Sequence, residues 1–389
     1  MAAPDAAAGE ANLNFFYEFA TLDDSPPAGD FVKIRRIAEC GPDPHGVNQG
    51  RIELHMWSRS EEPVAVKRVK SDFVYINRGR EPDDRRNHFP PRASPRRHQE
   101  DMLTEIGTYR YLFREGGVPE YILRMHTVFQ RGDDIWLVLE NATGGDLFNR
   151  CLEVHTGEGR DAISQRVRRW MWQLLQAVSY MHGRAVGHRD ISLENVLLNG
   201  DDVRLMDFGQ AVRSHSEAGR ELRYFRYFGQ AGKDYYRPCN MYVPAAPLEW
   251  VAPTGSSGGQ VVFYPGTVAD FFCEVALPPD AVPGERCTVE PAGYHVRPAD
   301  VFACAVCAFI LSTSLPPWKV AHPSDGTFKW VCRSGIVALL RAWGHELAPE
   351  VEDFMARAMN MDASQRPTSD ALLEHAWFEP IRREGVEGT

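Results

Sequence analysis

Alternating apolar and polar residues mark the first third of the chain, and helical spacing marks the rest. FVKIRRI from Phe31, GRIELHMW from Gly50 and PVAVKRV from Pro63 put neighbouring side chains on opposite faces, the period of a strand. EIGTYRYL predicts a helix, and YILRMHTVF and DIWLVLE predict two more strands. In ISQRVRRWMWQLLQAVSYMH, the residues Val167, Trp170, Leu174, Val178 and Met181 recur at three- and four-residue steps, the buried face of one long helix. The short runs VLLN and VRLMD read as strands, and after Asp300 the pattern is helical to the end.

Two stretches interrupt this order. Residues 71–100 contain RRNHFPPRASPRRH, with five arginines, three prolines and no acid, the composition of an exposed loop. Residues 241–296 carry prolines and glycines around QVVFY and DFFCEVAL and predict a small β-rich insertion of two or three strands. The expected division is a tail over 1–30 with an apolar knot at Phe15, Phe16 and Tyr17, a mostly β part over 31–141, a mostly α part over 142–381, and a second tail over 382–389.

Composition narrows the class. The 389 residues are 43% hydrophobic and 25% charged, which excludes wholesale disorder. A net charge of −10 argues against a nucleic-acid partner for the chain as a whole, although not for the local arginine cluster at 85–97. No run approaches about 18 uninterrupted apolar residues, so no membrane partner is expected. The start MAAPDAAAGEANLNFF lacks the basic and apolar regions of a secretory signal, and Ala2 excludes myristoylation. The eight cysteines are then expected as reduced thiols in the cytoplasm, with the nucleus as the alternative. Cys304 and Cys307 form a CxxC inside VFACAVCAFIL with no second ligand pair, and read as small core residues. Cys273 and Cys287 would pair only in an oxidising compartment.

The densest chemistry lies in GHRDISLENVLLN and LMDFGQA. Asp190 precedes Asn195 with the spacing D-x-x-x-x-N, and Asp207-Phe208-Gly209 begins twelve residues after Asn195. This pattern resembles the catalytic loop and magnesium motif of eukaryotic protein kinases, and the resemblance extends over about residues 31–380. It implies an α+β, bilobal protein-kinase-like fold: a small, mostly β N-lobe and a large, mostly α C-lobe, with the β-rich insertion before a central helix that Asp300 opens. It also implies a monomer that transfers the γ-phosphate of Mg-ATP to serine or threonine hydroxyls of protein substrates. Charge spreads over three oxygens in that reaction, so oxygen ligands must hold Mg²⁺ and one carboxylate must orient the attacking hydroxyl. By resemblance, Asp190 is that carboxylate, and Asn195 and Asp207 are the metal ligands.

Val64-Ala65-Val66-Lys67 resembles the strand whose lysine contacts the α- and β-phosphates. Glu105 is its expected carboxylate partner, because Tyr109 and Leu112 mark an inward face beside it; Glu100 competes. HGVNQGRI matches the glycine-rich loop only at Gly50 and at Ile52, which would cover adenine, with His45 and Val47 at the other glycine positions. DIWLVLENATGGDLF resembles the hinge. It implies Leu139 behind adenine, backbone groups of Glu140 and Ala142 facing it, Asp146 at the ribose, and Leu197 below the base, opposite Ile52 and Ala65.

Three departures stand out. Ser192 occupies the usual position of a lysine that neutralises the γ-phosphate, and Lys233 stands where the activation segment usually carries a threonine. The paired change suggests that Lys233 supplies the missing charge from the other side. Pro238-Cys239-Asn240 replaces Ala-Pro-Glu, which leaves Arg366 in need of a partner, with Glu249 a candidate. The long 241–296 segment either docks substrates or braces the fold. Ser214, Ser216 and Tyr224 are candidate phosphorylation sites beside Arg189, and Ser94 is another. These departures resemble divergent kinases of alveolate protists, including apicomplexans. The main alternative function is a pseudokinase, a nucleotide-binding or scaffolding module; a small-molecule phosphotransferase is the third.

Overall fold

The computed structural model describes residues 15–39, 50–71, 102–157, 159–224, 232–242, 247–266 and 271–387. Two compact units emerge. A sheet unit combines Leu13–Asn149 with Leu193–Val212, and a helical unit combines Arg150–Ser192 with Arg213–Thr389. This is the β-sheet N-terminal region and helical content of the bilobal expectation.

The sheet unit is built on five antiparallel strands in the order β1-β2-β3-β5-β4. They are β1 (Phe31–Glu39), β2 (Arg51–Trp57), β3 (Glu62–Lys70), β4 (Met125–Arg131) and β5 (Asp134–Glu140). Strand alternation sorts their side chains onto two faces. Val64 and Val66 pack with Phe31, Phe129, Trp136 and Val138 in a closed core. Ala65 and Lys67 point the other way, and the register sets Ile52 opposite Lys67 and Leu139 opposite Ala65.

The core face also carries a charge cluster. Glu53, 1% exposed, accepts from Lys33 (2.5 Å) and Arg68 (3.1 Å) and lies 3.3 Å from His55. Burial alone would raise the Glu53 carboxyl, but the bonds from Lys33, His55 and Arg68 outweigh it and hold the pKa down at about 2. Arg68 also reaches Asp134 and lies over the Trp136 ring.

Helix α1 (Met102–Phe113) is buried on nearly every side, which an amphipathic stripe alone would not produce. The added cover is the 3₁₀ turn Phe15–Phe19. Phe16 is buried, and Phe15, Phe16 and Phe19 meet the Tyr111 ring edge-on at 5.1–5.6 Å. A Cβ on Gly107 would lie 1.8 Å from the Phe16 carbonyl oxygen, so only glycine permits this approach. Asp23 secures the segment by accepting from Arg110 and Thr127, each at 2.6 Å.

Beyond the sheet the chain forms helix α2 (Leu147–Gly157), helix α3 (Arg160–Gly183) and strand β6 (Val186–Gly187). A hairpin of β7 (Val196–Asn199) and β8 (Asp202–Leu205) follows, then β9 (Val212–Arg213). The hairpin bonds into the sheet unit: Leu123 N to Leu205 O at 3.0 Å, Leu205 N to Tyr121 O at 2.8 Å, and Gly144 N to Leu198 O at 2.8 Å. Residues 142–149 and 193–212 therefore pack with the sheet, whereas the sequence pattern assigned them to the helical part.

In the helical unit, α3 packs on helix α4 (Val296–Thr313). Helix α4 has the length and mean hydropathy, 1.5, of a membrane span, although Arg297 and Asp300 interrupt its apolar run. The helix is 83% buried, with Cys304 and Cys307 in the core. Strand β10 (Arg223–Tyr224) pairs with β15 (Tyr294–His295). Between them in sequence lies a four-stranded antiparallel sheet of β11 (Leu248–Val251), β12 (Val261–Tyr264), β13 (Cys273–Ala276) and β14 (Arg286–Pro291), in the order β11-β14-β13-β12. It has its own core of Ala252, Tyr264, Cys273, Val275, Leu277 and Val289. Cys273 and Cys287 are free thiols.

Candidate active site

In the sheet unit, Lys67 on β3 places Nζ 2.8 Å from Oε2 of Glu105 in the first turn of α1. Both side chains are largely shielded from water, and a buried lysine needs such a partner. Glu100, the competing partner, lies outside the described residues, as do Ser94, His45 and Val47. One turn after Glu105, the Tyr109 ring meets Phe208 edge-on at 4.8 Å. Helix α1 therefore touches the Asp207-Phe208-Gly209 segment directly.

Asn195 and Asp207 flank the neck of the β7–β8 hairpin. Val196 pairs with Leu205, and Met206 N donates to Asn195 O at 3.0 Å. Asp207 has φ of +65° and accepts from Gly209 N at 3.4 Å. A left-handed aspartate is costly, and such strain concentrates where a side chain must be aimed. One amide and one carboxylate oxygen at a hairpin neck are hard donors of the kind Mg²⁺ takes.

One sheet face presents Ile52, Ala65, Lys67 and Leu139, with Gly50 just before β2. Leu197 lies on β7 and bridges to Asp146. Ala142 is half-buried just past β5. Two of these residues also have partners of their own. Glu140 gives its N–H to Arg124 O at 2.8 Å and its carboxylate to Arg204 (2.8 Å) and Asn199 (2.7 Å), so of its backbone only the carbonyl is left for adenine. Asp146 accepts from the backbone N (2.9 Å) and side-chain N (2.7 Å) of Asn149, which caps the start of α2.

In the helical unit, Asp300 on α4 accepts from the backbone N–H groups of His188 and Arg189, both at 2.8 Å, and lies 3.1 Å from His182 Nε2. These bonds fix the loop that carries the buried Asp190. Arg189 has φ of +70°, a second strained position. Lys233 donates to Ser192 Oγ at 2.7 Å and lies 3.8 Å from Asp190 Oδ2. Gly232, at φ +74°, makes the approach possible, because a Cβ there would sit 2.9 Å from Arg189 O.

Arg366 is buried, and Glu249 is not its partner. Glu249 lies exposed on β11 and accepts from Thr288 at 2.6 Å. Arg366 instead donates to Asn240 Oδ1 (3.2 Å), Asn360 O (2.7 Å) and Pro298 O (3.0 Å), and stacks on Phe302. Burial against these neutral acceptors lowers its pKa to about 10, partly opposed by Cys239, Glu274 and Asp362.

Of the candidate phosphorylation sites, Ser214 and Tyr224 are internal. Tyr224 donates to Arg213 O at 2.6 Å, and Ser214 Oγ accepts from Arg297 at 3.1 Å. Ser216 is half-buried in a turn. Sequence reasoning misses the buried pair of Arg223 and Glu274. An acid in an inward position of DFFCEVAL is the one signal that could have raised it.

A family model described as the protein kinase domain matches residues 91–238. The chain is 25% identical over 283 residues to the calcium/calmodulin-dependent protein kinase cmkA of Emericella nidulans, covering 70% of this chain and 53% of that protein. It is 22% identical over 289 residues to CBL-interacting serine/threonine-protein kinase 15 of Arabidopsis thaliana, covering 74% of this chain and 52% of that one. It is 32% identical over 284 residues to CBL-interacting protein kinase 11 of Oryza sativa subsp. japonica, covering 72% and 44%. The chain thus spans about half the length of these relatives.

Proposed function

We propose that this chain, a member of the eukaryotic protein kinase superfamily, transfers the γ-phosphoryl group of Mg-ATP to serine or threonine hydroxyls of protein substrates. The observation that carries this reading is the closed pair of Lys67 and Glu105 at 2.8 Å. Phosphoryl transfer needs a cation fixed at the α- and β-phosphates, and a carboxylate on α1 is what holds this lysine in place.

The other residues take roles that match their chemistry. Ile52, Ala65 and Leu197 enclose the adenine, Leu139 backs it, and the Glu140 carbonyl and Ala142 backbone bond to its edge. Gly50 lets the chain approach the phosphates. Asn195 and Asp207 hold Mg²⁺, which when bound neutralises charge on the phosphate oxygens. Asp190 orients the substrate hydroxyl and accepts its proton. Lys233 brings to Asp190 and Ser192 the positive charge that a lysine at position 192 would have supplied. This exchange, with the sheet inside 241–296, is why we place the chain among divergent kinases of the alveolate type.

The test is a peptide array incubated with Mg-ATP. Phosphate should appear on serine or threonine and disappear with Asp190→Asn. Thermal stabilisation by Mg-ATP without transfer would favour a nucleotide-binding scaffold instead.

A further inference from the structure

The region between β10 and β15 is tied to the activation segment by a buried ion pair. Arg223 and Glu274 form a two-pronged pair, Nη1 to Oε2 at 3.1 Å and Nη2 to Oε1 at 3.2 Å, and both are buried. Arg223 Nη1 also donates to Gly293 O at 3.2 Å, and Ala292 N donates to Glu274 O at 2.9 Å. The pair thus locks β13 to β10 and to the two residues that lead into β15. Parallel guanidinium–carboxylate bonds of this kind fix orientation as well as distance.

The ribbon in turn holds Arg189. Arg189 Nε donates to Tyr294 Oη at 3.0 Å, and its guanidinium lies 5.6 Å from the centre of the Tyr224 ring. Tyr224 and Tyr294 are paired across the ribbon. The segment before β10 is tied down as well: Ser214 N donates to Ala185 O at 2.7 Å, Leu222 N to Ser214 O at 2.9 Å, and His295 Nδ1 sits 3.1 Å from Leu222 O. Phosphorylation orders such segments by giving an arginine a new anionic partner. Here Arg223 already has a carboxylate, and Arg189 is already held by the Tyr294 hydroxyl and the Tyr224 ring.

We propose that the sheet β11–β14 stands in for an activating phosphate: Glu274, acting through Arg223, fixes the β10–β15 ribbon that holds Arg189, so residues 213–224 keep their working geometry unmodified. Glu274 and Tyr294 are positioning residues, and Ser214 and Tyr224 are structural hydroxyls rather than switches. The inference rests on the kinase reading above.

The full chain is treated with a broad-specificity phosphatase, and loss of phosphate from 213–224 is checked by mass spectrometry. The kcat on a serine/threonine peptide library should stay within about twofold of the untreated enzyme. Glu274→Gln should lower kcat at least about tenfold with KM for ATP nearly unchanged, because it removes positioning and not nucleotide contacts. The same variant should accelerate amide exchange across 213–224 at least about tenfold. The charge swap Arg223→Glu with Glu274→Arg should return both readings toward wild type. Loss of activity on phosphatase treatment, unchanged exchange in Glu274→Gln, or a swap that recovers nothing would overturn the proposal. Should Glu274→Gln not fold, Tyr294→Phe removes only the acceptor of Arg189; a fall in kcat at unchanged melting temperature supports the brace, and unchanged kcat refutes it. If the wild-type chain transfers no phosphate at all, the kinase reading fails, and amide exchange still decides whether Glu274 holds the segment.

Discussion

The ammonium of Lys233 donates a hydrogen bond to the hydroxyl of Ser192 at 2.7 Å. With Asp190 Oδ2 only 3.8 Å from the same nitrogen, one side chain links the loop of Asp190 and Ser192 to the segment that follows β10. Lys233→Ala should lower kcat about 100-fold, the usual effect of removing one preorganised donor from a transferring group. Adding Ser192→Lys to that variant should recover part of the loss, since the charge then comes from the opposite side. Steady-state phosphotransfer on a single peptide reads both. A single variant with near-wild-type kcat would remove Lys233 from the mechanism.

The approach of Phe16 to Gly107 makes the N-terminal segment part of the helix that carries Glu105. Phe16→Ala should destabilise the protein by about 3 kcal/mol, the cost of emptying a buried aromatic site. Gly107→Val should expel the segment outright, because a Cβ has no room beside the Phe16 carbonyl. In both variants the Lys67–Glu105 pair loses its backing, so kcat should fall together with melting temperature. Loss of stability without loss of kcat would show that the segment braces the fold and not the helix position.

Acid should expose the Glu53 cluster. The folded pKa is held at about 2 against an ordinary value of 4.5, so Glu53 binds its proton more readily when unfolded. Its contribution is fully present above pH 4.5 and fades as pH falls toward 2. Asp134 shifts the same way through Lys70 and Arg68, after burial has opposed it. Urea unfolding across pH 2–5 should therefore steepen in the wild type and flatten in Glu53→Gln, which also starts from lower stability because it leaves Arg68 and Lys33 short of a counter-charge. Parallel curves would mean that Glu53 is not linked to folding.

Residues whose chemistry demands a rigid local spacing are legible in the sequence. Asp190 and Asn195 sit within one loop, Asn195 and Asp207 bracket one hairpin, and Glu105 follows from the inward face shared with Tyr109 and Leu112. Partners set by strand register or by long-range packing are not legible. Arg223 and Glu274 are 51 residues apart and meet only because β10 pairs with β15 and β13 lies against that ribbon. Glu249 looks suitable for Arg366 by charge and position, yet β11 turns it to the surface, where Thr288 takes it.

The pairing of Arg366 with Asn240 gives the last prediction. Its hydrogen-bond acceptors among the described residues are an amide oxygen and backbone carbonyls, so the guanidinium lacks a carboxylate in contact. The Nδ2 atom of Asn240 is itself buried without a partner among the described residues. Asn240→Asp keeps the shape, removes that orphan donor and places an anion on Arg366. It should stabilise the protein at pH 7 by about 1 kcal/mol, the gain from a charged bond less the cost of burying a second charge. The new carboxyl, held below its ordinary range by Arg366, should lose this gain as pH falls through its folded pKa. Asn240→Ala should destabilise by about 1–2 kcal/mol, because it strips one acceptor from a buried cation. Equal urea midpoints for Asn240→Asp and wild type at pH 7 would show that Glu274 and Asp362 already balance Arg366 through space, which would make a carboxylate at position 240 neutral for folding.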